Sequence, residues 1–388
     1  MQQYRDKRVA VVASTKEEGD ILFHILRSFG IEQIRVMLDS REVLNLDPQE
    51  TFHLFILRHE TTGLSGISLM QRIRASGHYG AENYLILVDS ISEAMKPVFE
   101  EFDIRYVLPK PFTADRIAGR LESLLRAESE LSPFEITMRS ARGAYYSGLL
   151  TMARELCLSM FRTHGYQERI LTLLGEIALK EKKTNEARKF FTAALKVNPG
   201  FLPATHRMAV SHMYDRNFKE AATMLDELLP RNPLNLQLLA DSGQASFELG
   251  NHDKARLTML HLKQLDERDR LAADVLAKVA MAEGRVLDAC RHLRKSHSDA
   301  ELVQFLNNEG VRLSKEKDLD GAIRMYEQCL GEVHESEFAH AIYYNLGLAH
   351  AKRREHGPAV QYFQMALARK PDFVKAQQAL ARLEPIGA

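Results

Sequence analysis

The hydrophobic pattern changes its period about a third of the way along the chain. Up to about residue 128, short continuous apolar runs alternate with stretches whose apolar positions recur three and four apart. The runs are RVAVVAS (8–14), IRVML (34–38), HLFILRH (53–59), NYLILVD (83–89) and RYVLP (105–109). Between them lie segments such as GDILFHILRSFG and SGISLMQRIRAS. Short apolar runs bounded by polar turns predict strands buried on both faces, and the 3.6-residue period predicts helices. Their alternation predicts an α/β domain, a doubly wound five-stranded parallel sheet covered by helices on both sides. In such folds chemistry sits in the crevice at the carboxyl ends of the strands.

From about residue 134 no strand pattern appears, and the helical period continues to the end and repeats. In LLGEIALKEKKTNEARKFFTAALKVNP the informative positions are Leu174-Gly175, Ala187, Phe191, Ala194 and Pro199. Leu346-Gly347, Ala359, Phe363, Ala366 and Pro371 stand at the same offsets in YYNLGLAHAKRREHGPAVQYFQMALARKP. With the glycine at position eight, one unit starts at 168, and steps of 34 place others at 202, 236 and 270. Ala221, Ala255 and Ala289 then share position twenty, and Gly250 and Gly284 fall between paired helices. A shifted unit starts near 303 with Gly310, Ala322 and Tyr326, and the insertion GEVHESEF precedes the last unit at 340. A weaker unit at 134 has Cys157 in the aromatic position, which makes about seven in all. The tail DFVKAQQALARLEPIGA predicts a capping helix that Pro385 stops.

Composition narrows the function classes. The 388 residues are 45% hydrophobic and 27% charged, and Lys+Arg and Asp+Glu both count 52, so no global charge points to nucleic acid or membrane. No apolar run approaches the roughly 20 residues of a membrane helix, and the first residues lead into a strand without a signal-peptide pattern. Cys157, Cys290 and Cys329 are widely spaced within helical patterns and read as buried, reduced thiols of a cytoplasmic protein. His292 and His297 lack a third metal ligand, and neither a P-loop nor a dinucleotide turn is present. The expectation is a non-enzyme without cofactor or metal.

Gly66 stands eight residues after Arg58, and Lys110-Pro111-Phe112 closes the fifth apolar run. With the order and spacing of the runs, these features resemble the CheY-like receiver domain of two-component response regulators, a flavodoxin-like fold, over residues 1–128. The resemblance implies magnesium-dependent phosphoryl transfer from a histidine kinase to an aspartate. That chemistry needs a carboxylate nucleophile, metal-holding carboxylates after the first strand, and a hydroxyl and a lysine on the phosphoryl group. This chain departs from it. Ala13 and Ser14 replace the acidic pair, Arg58 the acceptor, and Asp89 the hydroxyl residue; Lys110 alone matches. Arg58 has no acceptor atoms and stays cationic. Three readings of the altered crevice stand open: an internal ion pair of Arg58 or Lys110 with Asp89, solvated loop charges, or a small-anion site.

The repeats resemble tetratricopeptide (TPR) units, which implies an all-α superhelical solenoid over residues 134–388 after a short linker at 129–133. The only breaker in the linker region AESELSPFEITMRSARG is Ser132-Pro133, so the first domain is expected close against the first repeat. This docking, or pairing of two copies through the receiver-like domain, would set how open the groove is. Family position puts the groove on the first helix of each unit, with Gln237, Gln244, Phe247, Lys278, Asn307 and Tyr344 as candidate contacts for a protein or peptide. The Lys/Asn pattern that grips chaperone tails is absent. The resulting expectation is a bacterial two-component-type signalling adaptor. Its alternatives are a phosphorelay regulator with an atypical acceptor or non-phosphate activation, and an anion-binding or enzymatic crevice.

Overall fold

The five apolar runs form five parallel strands: β1 (Arg8–Val12), β2 (Gln33–Met37), β3 (Leu54–Arg58), β4 (Asn83–Val88) and β5 (Tyr106–Pro109). Their order in the sheet is β2-β1-β3-β4-β5. The structure is a computed structural model that describes residues 4–47, 50–76 and 83–383. Alternate strand residues face opposite sides. Val9, Val11, Leu54, Ile56, Leu85 and Leu87 pack against α1 (Lys16–Ser28) and α4 (Ala114–Ser129). Ala10, Val12, Phe55, Leu57, Ile86 and Val88 pack on the other face against α2 (Gly66–Ala75) and α3 (Lys96–Glu101). β2 departs from the expectation of burial on both faces, since only Met37 in it is buried. It is an edge strand paired with β1 alone, and its link to β3 carries a 3-10 turn, Ser40–Asn45, capped by Asp39.

Gly66 positions the crevice. A Cβ there would lie 2.9 Å from the carbonyl oxygen of Arg58 and 3.1 Å from His59 Cα, so only glycine lets α2 start over the end of β3.

The remainder is helical. The chain forms two compact units, Met1–Asn251 and His252–Ala388. The first unit continues through α5 (Pro133–Tyr146), α6 (Leu150–His164), α7 (Glu168–Lys180), α8 (Thr184–Val197), α9 (Leu202–Tyr214), α10 (Phe218–Leu228) and α11 (Leu236–Glu248). The second holds α12 (His252–Leu265), α13 (Arg270–Ala282), α14 (Val286–Arg294), α15 (Asp299–Lys315), α16 (Leu319–Val333), α17 (Ala339–Lys352), α18 (His356–Arg369) and α19 (Val374–Leu383). Pro385 lies outside the described residues.

Two features show why the sequence repeats. The first is the turn after the leading helix of each pair. Gly148, Lys182, Arg216, Gly250, Gly284, Lys317 and Arg354 all have positive φ, between 61° and 77°. At Lys182, its N–H bonds the carbonyl of Leu179 and the next N–H bonds that of Ala178, which satisfies two helix-end acceptors. The second is volume exchange where paired helices cross. A Cβ on Gly347 would come within 2.5 Å of the Phe363 ring, and one on Gly175 would strike the ring of Phe191. Where alanine replaces the glycine, the residue sixteen later is smaller than an aromatic ring: Ala141 with Cys157, Ala209 with Leu225, Ala277 with Leu293. All six are buried, so summed volume is kept while its division changes.

Candidate functional site

At the carboxyl ends of β1, β3 and β4, Arg58 is 4% exposed. Its Nε lies 3.5 Å from Glu18 Oε1, and its two terminal nitrogens pair with Glu60 and Asp89. Nη1 also donates to the Leu87 carbonyl at 3.2 Å, and the guanidinium lies 4.8 Å from the Phe112 ring centre. Lys110 Nζ is 2.7 Å from Asp89 Oδ1. Glu60 accepts the Asp89 N–H at 3.0 Å, while Glu18 accepts from Ser14 N and Oγ at 2.7 and 2.8 Å. Ala13 is buried. The hydrogen bonds from Lys110 and then Arg58 hold the Asp89 carboxyl below its ordinary range.

The crevice therefore carries a covalently fixed cation among three carboxylates, each of which lies at ion-pair distance from it. A lone buried arginine would be costly, but one with this many acceptors is stable in place. Among the described residues no group of three or more His, Cys, Asp or Glu side chains is arranged to hold a metal ion. Glu18 was not singled out from sequence, because it reads as the third residue of a helix start. It fills that role too, donating its N–H to Thr15 Oγ1 at 3.2 Å.

A second polar region joins the α/β domain to the first repeats. Beyond Ser129 the chain turns directly into α5, where Arg139 bonds Glu128 at 2.6 Å and Asn83 at 3.1 Å. The loop before α11 docks between α2 and α3. Gln71 donates to the Leu234 carbonyl at 2.9 Å and accepts from Leu236 N at 2.8 Å. Leu234 packs on the hydrophobic cluster of the α/β domain. Glu101 accepts from Asn235 at 2.8 Å and from Asn232, both 1% exposed.

This docking places the α/β domain against the leading helices α7, α9 and α11. Gln237, Thr172, Glu176 and His206 line one cavity together with Arg74, Glu101 and Phe102. Gln237 also donates to Asp241 at 3.0 Å, and Asp241 lies 2.8 Å from His206 Nε2. Gln244 bonds Glu248 at 2.7 Å, and Phe247 is half-buried. In the second unit Asn307 accepts from Asn345 at 2.8 Å. Tyr344 packs between Phe363 and Phe373, 5.7 and 5.3 Å away, and Lys278 is exposed. Asn307 and Tyr344 thus hold neighbouring helices together. His297 is bound to Asp274 at 3.1 Å, and the three cysteines are buried and unpaired.

Comparison with known proteins agrees with the helical geometry. Residues 168–201, 206–267 and 308–372 match tetratricopeptide repeat patterns. The C-terminal part is thus a TPR array, behind a five-stranded parallel α/β domain. Tetratricopeptide repeat protein 6 of Homo sapiens is 26% identical over 190 residues, covering 48% of this chain and 36% of that protein. The TPR repeat-containing protein YpiA of Bacillus subtilis is 21% identical over 243 residues, covering 61% of this chain and 56% of its own. The chain thus spans about a third to just over half of the length of these relatives. A tetratricopeptide repeat protein from Parabacteroides merdae has a solved structure with a TM-score of 0.40 at 18% identity, over 64% of this chain and 98% of its own. No helix among the described residues is long and apolar enough to cross a membrane.

Proposed function

We propose that this protein is an adaptor of two-component-type signalling, built from a receiver-like domain that does not accept phosphate and a TPR array that binds a partner protein. The observation that carries the reading is Arg58. A cation stands at the end of β3 where a receiver has its acceptor, and Glu18, Glu60 and Asp89 are all engaged with it. An aspartyl phosphate would need a carboxylate free to attack and a metal to neutralise the phosphoryl oxygens. The protein works by recruitment rather than catalysis, and it needs no cofactor.

The docked α/β domain acts as a cover on the first repeats, held by Gln71, Glu101 and Leu234. Partner access then depends on these contacts as well as on the groove. The test is affinity capture from the native host with the full chain, with residues 1–130 and with residues 131–388. A partner retained by 131–388, and bound more strongly there than by the full chain, supports an adaptor with a covered groove. If no form retains a partner, the adaptor reading fails. Magnesium-dependent labelling with acetyl phosphate separates this reading from a phosphorelay regulator with an atypical acceptor.

A further inference from the structure

Within the first compact unit, the seam between the α/β domain and the repeats holds three cavities that share Arg74. Their volumes are about 80, 90 and 260 Å³. One water needs about 10–15 Å³ on this scale, so the largest has room for a small organic anion. Arg74 is 9% exposed. Its Nη1 donates to the Phe102 carbonyl at 2.6 Å, and its guanidinium lies over the rings of Tyr84 and Phe102. Its buried Nε has no hydrogen-bond partner, and no carboxylate among the described residues pairs with it.

Half-buried Arg142 lines two of these cavities and also makes no ion pair among the described residues. Apart from Arg74, the arginines that share walls with it are matched: Arg105 by Asp103 at 2.8 Å, Arg139 by Glu128 at 2.6 Å, Arg169 by Glu135 at 2.8 Å and Arg207 by Glu176 at 2.6 Å. The wall of the largest cavity carries Arg72, Arg74, Lys180 and Arg207 and no carboxylate. Lys180 Nζ reaches only the Tyr145 carbonyl, at 3.0 Å, and the face of its ring. Burial lowers the proton affinity of both Arg142 and Lys180. Buried cations in native structures are ordinarily paired. Among the described residues no carboxylate pairs with Arg74, Arg142 or Lys180.

We propose that the largest of these cavities binds a small, multiply charged phosphate compound, held between Arg74 of the α/β domain and Lys180 of the repeats. A guanidinium group bonds phosphate oxygens in pairs, and a phosphate monoester carries nearly two negative charges, which matches Arg74 and Lys180. The bound anion ties the two parts of the unit together. This site stands whether or not the repeats recruit a partner.

The test is calorimetric titration and thermal unfolding of the full chain with inorganic pyrophosphate, with citrate as the carboxylate arm and sodium chloride at matched ionic strength. Pyrophosphate is expected to bind saturably and raise the unfolding temperature, with no such effect from chloride. Arg74→Gln should weaken binding at least tenfold. Without pyrophosphate this variant should unfold no earlier than the parent protein, because it removes an unmatched charge. Lys180→Gln, on an exposed residue, should fold normally and weaken binding at least threefold. No saturable binding, or binding by both variants as tight as by the parent protein, overturns the site. Citrate binding as tightly as pyrophosphate overturns the phosphate assignment.

Discussion

Arg58 and Arg74 lie sixteen residues apart in the same domain and are both buried, at 4% and 9% exposure, yet their settings are opposite. Arg58 is surrounded by Glu18, Glu60 and Asp89, so every charged group of the crevice has an opposite partner. Arg74 meets a carbonyl and two aromatic faces, with Nε left over. A complete network behaves as a structural lock, whereas an incomplete one invites an ion. The crevice has the position of an active site and the charge balance of a core. The seam has the position of a packing interface and the charge balance of a binding site.

The largest expected effect follows from cutting the lock. Arg58→Ala leaves three carboxylates facing one another, two of them partly solvated, and should cost about 2–3 kcal/mol in urea unfolding. Arg74→Gln, at similar burial, should be close to neutral under the same conditions. Equal losses would erase the contrast between the two sites.

The repeats offer a second, smaller test. Gly175→Ala pushes a methyl group into the Phe191 ring and should cost about 1–3 kcal/mol. Adding Phe191→Leu recreates the Ala209–Leu225 combination and should recover most of that loss, as read by thermal unfolding. A double variant no better than the single one would reject the volume-exchange rule.

Smaller still is the turn. Arg216 holds a left-handed conformation, φ 61°, where Gly250 and Gly284 sit in later repeats. Arg216→Gly should therefore stabilise by about 0.5–1 kcal/mol. The smallest effect is on acid stability. Asp89 has a lowered native pKa, so its contribution is present above the ordinary carboxyl value of about 3.9 and is lost as pH falls through the lower native value. Asp89→Asn should flatten that limb of a stability–pH curve and leave its shape near neutrality unchanged.

How much of this was legible in the sequence depended on whether the signal was local. Continuous apolar runs marked the strands, and the spacing of Gly175, Ala187 and Phe191 marked the helix crossings, because backbone geometry fixes both periods. The edge position of β2 was hidden, since IRVML is as apolar as a central strand. Glu18 was masked by its role at a helix start. Arg74 and Arg142 each read as one arginine among several on a helix; whether an arginine finds a carboxylate is decided by residues far away in sequence. Asn232, Leu234 and Asn235 lie in the turn before α11, and only the fold brings them to Gln71 and Glu101.

On the proposed function, the crevice keeps the frame of a receiver without its reaction. Incubating the full chain with acetyl phosphate and magnesium, followed by intact-mass spectrometry, tests this most directly. The account predicts an unchanged mass. Stoichiometric addition of a phosphoryl group at an acidic residue would contradict it.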